Sequence, residues 1–249
     1  MIKKTALFLL AAAALILGSA PVSFGQWFID VENGLALPGY NDVRIPGDTG
    51  TLFSFADDLK TDPAYFFRFR AGIHWKSRHT VSFLAAPLRL HAAGTFDRPV
   101  FFYEETFPAG VPVTGTYKFN SVRLTYRYDF IRKGKWRVGA GLTGKIRDAA
   151  VGLEGGGLAS TKTNIGCVPL LHLRVLWQFR EAWGLLLEAD GAAAAPGRAE
   201  DVLLALQWKL KDNLTLKAGY RILEGGADVE EVYNFSLIHY LGAGLTFTF

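Results

Sequence analysis

The chain has 249 residues; half are apolar, 20% are charged, 14% are aromatic and 27 are glycine. That is enough for one large domain or two small ones. The only cysteine, Cys167, rules out an internal disulfide and any zinc site built on several cysteines, and so apolar and aromatic a composition excludes intrinsic disorder. A net charge of +4 is no argument for nucleic acid, and no nucleic-acid partner is expected.

Residues 1–25 read as a secretory signal peptide. Lys3 and Lys4 form a basic start, Ala6 to Leu17 is an apolar run of 12 residues, and Ser23 and Gly25 are small residues before a cleavage site at Gln26. Cleavage after Ala20 is the alternative. The run is short for a transmembrane helix, which needs about 20 residues. Removing this segment takes away two lysines and no acid, so the net charge falls from +4 to +2 over 26–249. No later segment is apolar for long enough to be a membrane helix, but barrel strands alternate apolar and polar and escape that test.

Ten alternating segments follow. The first holds Trp27, Ile29, Val31 and Leu35 on one parity, with Asp30 and Glu32 on the other. The second alternates Tyr65, Phe67, Phe69, Ala71, Ile73 and Trp75 with Arg68 and Arg70. The third, Val81 to Ala92, switches its apolar parity around Pro87; a bulge there would explain both the proline and the switch. Later segments set Val122–Phe130 against Arg123, Arg127 and Asp129, and Trp136–Ile146 against Arg137, Lys145 and Arg147. Leu171–Phe179 is set against His172 and Arg174, and Leu185–Ala189 against Glu188 and Asp190. Val202–Trp208, Leu216–Ile222 with Lys217 and Arg221, and Tyr233–Phe249 complete the set. Pro169 raises in the sixth segment the question that Pro87 raises in the third.

The connections alternate in length. Lys76–His79, Ile131–Lys135, Arg180–Ala182 and Lys211–Asn213 are short, while 37–63, 93–116, 149–163, 192–200 and 224–232 are expected to be long loops. Short turns at one end and long loops at the other are the pattern of an outer-membrane barrel, with the short turns in the periplasm. The expected fold class is therefore all-β: a closed antiparallel transmembrane β-barrel over 26–249, located in the cell outer membrane. Eight strands would require 27–36 and 81–92 to be non-strand; twelve would require a further hairpin from 95–119.

Two features separate a membrane barrel from a soluble one. Trp27, Trp75, Trp136, Trp177, Trp183 and Trp208 all fall at the periplasmic ends of their segments on the apolar parity, where an indole can lie at the bilayer interface. With Phe249 they form the expected interface belt. The second feature is the last segment, where Leu241, Ala243, Leu245, Phe247 and Phe249 share one parity to the final residue. It resembles the terminal strand of bacterial outer-membrane β-barrels. That resemblance implies recognition by the barrel-assembly machinery and contact with outer-membrane lipid and lipopolysaccharide. The length resembles the ten-stranded omptin-like size class, and no functional motif of a known family matches residue by residue.

The polar parity describes a crowded, basic lumen. Arg68, Arg70, Arg123, Arg127, Arg147, Arg174 and Arg221 are expected to face Asp30, Glu32, Asp129, Glu188 and Asp190 in a charge network. A ten-stranded barrel has little room, and unpaired buried charge is costly. This predicts a plugged lumen; an anion-preferring path or anionic-ligand site is the sharper alternative. Gly50–Leu59 is expected to form a short helix or lid at the barrel mouth. The acidic loops, among them Asp57, Asp58 and Asp97, are expected to be ordinary solvated charge, with divalent-cation contacts to lipopolysaccharide as the alternative.

The chemistry is thin. An omptin-like protease would need paired acids and an Asp–His pair at the outer rim. His74 and His79 lie near the periplasmic end, His172 is mid-strand, His91 has no assigned acid, and His239 and Ser236 point to opposite faces. Asn120–Ser121 resembles phospholipase sites weakly, and Glu188/Asp190 fit salt bridges better than acid–base work. Neither a phosphate loop nor a metal cluster is visible. No catalytic residue, metal or cofactor is expected, and two classes stay open. One is a non-enzymatic barrel acting in envelope integrity, surface interaction or limited small-solute passage. The other is a hydrolase of lipid or peptide at the rim.

Overall fold

In the computed structural model, which describes residues 25–249, ten antiparallel strands close on themselves. The expected signal peptide, except for Gly25, lies outside the described residues. The barrel strands are β1 (Gln26–Arg44), β2 (Ala64–Trp75), β3 (His79–Ala86, resuming as Arg89–Thr95), β4 (Pro112–Lys133) and β5 (Trp136–Gly155). They continue as β6 (Leu158–Trp177), β7 (Trp183–Ala194), β8 (Gly197–Lys211), β9 (Leu214–Val229) and β10 (Val232–Thr248). Each pairs with its chain neighbour, and β10 pairs with β1 from Phe28↔Thr248 up to Arg44↔Tyr233. Closure leaves no free sheet edge around the ring. β6 is locally an exception: it pairs with β5 along its whole length but with β7 only from Leu171 to Trp177. Pro169 sits just beyond the point where that second ladder stops, and a proline has no N–H to donate to it.

The wall is much taller than a bilayer requires. On β5 the outward apolar run goes from Trp136 to Ile146, close to the 9–11 residues a tilted strand needs to cross. Then comes Asp148, which accepts hydrogen bonds from Lys118 Nζ at 2.7 Å and Asn120 Nδ2 at 3.1 Å on the outside of the barrel. β5 continues to Gly155 and turns at Gly156–Gly157, both at positive φ, as a two-residue hairpin requires. The expected long loops at 149–163, 192–200 and 224–232 are therefore strand for most of their length. Beyond the bilayer no lipid imposes an apolar outer face, so the alternation that marks the lower strands is lost there although the ladder continues.

The bulge expected at Pro87 is absent. Ala86 pairs with Ser121 and Arg89 with Lys118, so the register runs through the proline unshifted. The ladder merely skips Pro87–Leu88, and the Leu88 N–H donates to Asn120 Oδ1 at 3.3 Å. The apolar parity switches for another reason. Below Pro87 Val81 and Phe83 lie on the outward parity and only Leu84 and Ala86 are buried inside among Thr80 and Ser82; above it Leu88, Leu90 and Ala92 are buried inside.

What they meet inside is a cap built from the two loops that are long in fact. Residues 45–63 carry Phe53–Ser54, paired with β1, and Leu59–Thr61, paired with upper β3. Residues 96–111 carry a small hairpin, Val100–Phe102 against Glu105–Phe107, that does not join the barrel. Gly50–Leu59 contains no helix; it is a lid of short strand and turn with Phe53, Phe55 and Leu59 fully buried.

Candidate functional site

Three layers fill the barrel along its axis. The cap comes first. Phe53 packs on Phe55, Phe96 and Phe102 at ring-centroid distances of 5.6, 5.5 and 5.9 Å. Phe55 reaches Tyr117 of β4 at 6.2 Å. Gly115 makes room for it: a Cβ there would lie 2.5 Å from the Phe55 ring. The two loops hold each other through Thr51 N–H to Phe101 O (2.9 Å) and Tyr103 N–H to Ile45 O (2.7 Å). Arg98 Nη1 donates to Asp58 Oδ1 at 3.0 Å, and its Nη2 to Leu52 O at 2.9 Å. Beneath the cap, Tyr117 and Ser236 share a hydrogen bond of 3.1 Å.

The second layer is a lattice of ions at membrane level. Its hub is Asp201, 3% exposed. Arg68 (3.2 Å), Arg123 (2.6 Å) and Arg221 all reach its carboxylate. Arg221 also donates to Glu32 at 2.9 Å, and Lys217 joins Glu32 (2.6 Å) to Asp30 (2.8 Å). Arg123 reaches Asp190 at 2.7 Å, and Asp190 also accepts from Thr143 Oγ1 at 2.9 Å. Arg70 grips Glu188, with Arg174 3.7 Å from the same carboxylate. Arg127 Nε donates to Asp129 at 2.7 Å. Arginine suits this layer because its planar fork serves two carboxylates from one side chain.

Arg147 faces inward but meets Asn164 rather than an acid. Asp201, the acid with the most arginines, is not among the residues the sequence singles out. It lies one residue before Val202 and so on the inward parity, but 192–200 reads as loop and the next inward residues, Leu203 and Ala205, are apolar. Those two pack with Leu176 and Leu186 in a small cluster of their own, which hides the polar–apolar alternation.

The third layer is open. At the end that carries the short turns, a vestibule of about 1120 Å³ is lined by Gln26, His74, Arg127, Asp129, Arg132, Arg137, Arg174 and Gln207, with Lys76 and Lys209 near its lip. Both described chain ends are here: Trp27 N–H donates to Phe249 O at 2.9 Å.

The outer face matches the inner one in reverse. Leu124, Leu142, Leu171 and Leu204 are exposed on the outward parity. The tryptophans collect at the turn end: Trp136 stacks on Trp177 at 5.7 Å and Trp183 on Trp208 at 5.4 Å, each pair directly opposite in register. Trp27, Trp136, Trp177 and Trp208 are exposed, Trp75 and Trp183 are half-buried, and Phe249 is exposed at the chain end. A closed barrel with an apolar outer band and an interfacial aromatic girdle is built to span a bilayer. The fold is that of an outer-membrane β-barrel.

One solved structure shares the fold. The outer-membrane protease OmpT of Escherichia coli is 9% identical, covers 93% of this chain and 99% of its own, and superposes with a TM-score of 0.57. The transport unit of the autotransporter AIDA-I from Escherichia coli is 9% identical over 95% of this chain and 94% of its own, with a TM-score of 0.48. Neisserial surface protein A is 15% identical over 90% and 99%, with a TM-score of 0.38. No protein-family model matches the chain, and no curated protein matches it by sequence.

The histidines occupy unrelated places. His172 Nδ1 is 2.7 Å from Asp190 Oδ1, deep in the ion lattice. The bond orients the imidazole, but the pair is buried at mid-barrel and not at a rim. His79 bonds Tyr126 at 2.9 Å and His239 bonds Tyr220, both on the outside. His74 stacks on Phe28 at the vestibule. Among the described residues no cluster of three metal-binding side chains occurs.

Proposed function

We propose that this chain is an integral outer-membrane barrel closed to solute flow, serving as a non-enzymatic scaffold that holds a folded cap at the cell surface. One observation carries the reading: the lumen is blocked twice, by the ion lattice around Asp201 and by the aromatic cap above it. Of envelope integrity, surface interaction and limited solute passage, the geometry supports the first two. The cap is a compact apolar core standing outside the bilayer, and it presents loops 45–63 and 96–111 as ordered surface. In this reading the outward apolar band meets outer-membrane lipid and lipopolysaccharide, and the Phe249-terminated β10 is the strand the barrel-assembly machinery engages. The short turns and the vestibule then face the periplasm.

Planar-bilayer recording of the refolded chain 26–249 tests it. The expected trace is silent at voltages that open porins. Large, stable conductance steps would overturn the proposal.

A further inference from the structure

The vestibule is more than the open end of a barrel. Along most of β4, odd-numbered inward residues alternate with even-numbered outward ones. Near the turn the alternation breaks: Gly139 of β5 faces Asp129, but Val138 faces Ile131, so Phe130 is an extra residue. Bulges of this kind re-aim the side chains beyond them. Phe130 and Ile131 both stay exposed on the lipid side, and Arg132 turns inward to line the vestibule. Arg78 fastens the bulge, its Nη1 donating to Asp129 O at 3.0 Å and to Phe130 O at 3.1 Å.

The result is an arginine directly opposite an arginine. Arg132 pairs in register with Arg137, and both line the cavity. Like charges directly opposite on a sheet are destabilising. Arg174 joins them one step away, since it pairs with Gly139, two residues along β5 from Arg137. Among the described residues, neither Arg132 nor Arg137 makes an ion pair or a side-chain hydrogen bond. Arg174 has only Glu188, at 3.7 Å, and Glu188 is already gripped by Arg70. In the lattice a few residues further in, the arginines around Asp201 are all paired with carboxylates. Arg132 and Arg137 thus line the cavity with no carboxylate partner among the described residues.

We infer that the vestibule is a binding site for a soluble anion carrying more than one phosphate group, taken from the periplasmic side. Guanidinium forks match phosphate oxygens in pairs. Arg132 and Arg137 without acids, and Arg174 with only a shared one, suit a ligand with several such groups, since Asp129 and Asp212 of the same lining are taken by Arg127 and Lys209. The volume exceeds what a single phosphate fills and lies just above the roughly 300–1,000 Å³ of small-molecule sites, as expected of a cavity open at one end. The strand wall separates the cavity from the bilayer, so the ligand reaches it through water. The orientation, though not the site, rests on the outer-membrane reading.

The test is calorimetric titration of inorganic tripolyphosphate into refolded 26–249 in a neutral detergent, at low salt and again at 0.15 M salt, roughly the physiological ionic strength. Saturable binding of one tripolyphosphate per chain is expected, weakened at least tenfold by Arg132→Gln and by Arg137→Gln. Lys133→Gln, beside the bulge but outside the cavity, should change nothing. Orthophosphate should bind at least tenfold more weakly than tripolyphosphate. Equal losses from Lys133→Gln and Arg132→Gln would mean diffuse charge attraction and would overturn the site. So would tripolyphosphate binding no better than orthophosphate, or competition by phosphatidylglycerol in the micelle, which would point to a lipid headgroup instead. If Arg132→Gln fails to fold, Arg132→Lys keeps the charge but not the fork, and wild-type affinity in that variant would equally overturn the assignment. A chain that binds tripolyphosphate but does not insert into bilayers would refute the membrane reading and leave the site. A chain that inserts and does not bind refutes the site alone.

Discussion

The lower and upper halves of this barrel are the same strands turned inside out. At membrane level β3 sends Phe83 outward to lipid and Thr80 and Ser82 inward to polar groups; above Pro87 it sends Leu88, Leu90 and Ala92 inward and Arg89 and His91 outward. The register does not change between the two. Only the solvents do: hydrocarbon outside below, water outside above. In the lower half apolar burial is provided by the bilayer, so the interior is free to hold ions, provided they are paired. In the upper half the exterior is wet, and the interior has to be an ordinary apolar core, which the loops supply.

The contrast predicts two kinds of fragility. The largest effect is expected at Asp201. Replacing it by Ala leaves Arg68, Arg123 and Arg221 sharing the remaining acids, and breaking a buried ion pair from one side costs about 3–5 kcal/mol. Asp201→Ala should therefore lower the urea midpoint of the whole refolded barrel, while Asp201→Glu should recover part of the loss. A shift worth less than about 1 kcal/mol would show that Asp201 is effectively solvated and that the lattice is not a closed, dry layer.

Next comes the cap. Phe102 is fully buried against Phe53 with a centroid distance of 5.9 Å, and a Phe→Ala truncation in a core costs about 3–5 kcal/mol. That loss should fall on the cap alone. Phe102→Ala is expected to expose 45–63 and 96–111 to protease while the barrel keeps its heat-modifiable mobility on a gel. Loss of both together would mean that cap and wall fold as one unit, and the two-region picture would fail.

How much of this is legible in the sequence follows from which solvent each residue meets. The bilayer enforces alternation, so the strands from Trp27 to Phe249 and the inward set Asp30, Glu32, Arg68, Arg70, Arg123, Arg127, Asp129, Arg174, Glu188, Asp190 and Arg221 can be assigned from parity. Where lipid stops, the rule stops. Ala149–Gly155 and Ala192–Ala194 are strand in the structure and read as loop, because small residues and glycines interrupt the pattern and the apolar ones, Val151 and Leu153, face the core instead of lipid. Arg132 is hidden for another reason: parity carried past Asp129 sends Ile131 inward and Arg132 outward, and the bulge at Phe130 reverses both. Asp201 falls between these cases, on the correct parity but beside inward Leu203 and Ala205, which blur it. The cap aromatics Phe53, Phe55, Phe96, Phe102 and Phe107 are visible as a cluster of loop phenylalanines, but their common destination depends on long-range contacts that no local spacing encodes.

The smallest expected effect sharpens the comparison through pH. Asp58 lies in the cap, outside the bilayer. Burial raises its pKa, but the hydrogen bonds from Arg98 and from the Ser54 N–H outweigh this, and the net shift is downward from the usual 3.8. A carboxyl whose folded pKa is depressed contributes stability above its unfolded pKa and loses it as pH falls through the folded value. The Asp58 contribution is thus complete at neutral pH, begins to fade as pH falls through about 4, and is gone only below the folded pKa. Both partners are partly exposed, with side chains 42% and 23% accessible, so the ion pair is worth only about 0–1 kcal/mol. Corrected for its intrinsic rate on an unfolded peptide, pepsin should therefore nick 45–63 somewhat faster at pH 3 than at pH 5. Asp58→Asn should remove that difference by loosening the loop equally at both values, since the amide does not titrate. If wild type and Asp58→Asn show the same ratio of cleavage rates between the two pH values, after correction for the intrinsic rate on an unfolded peptide, the Arg98–Asp58 bridge does not hold the lid. The cap would then rest on its aromatic core alone.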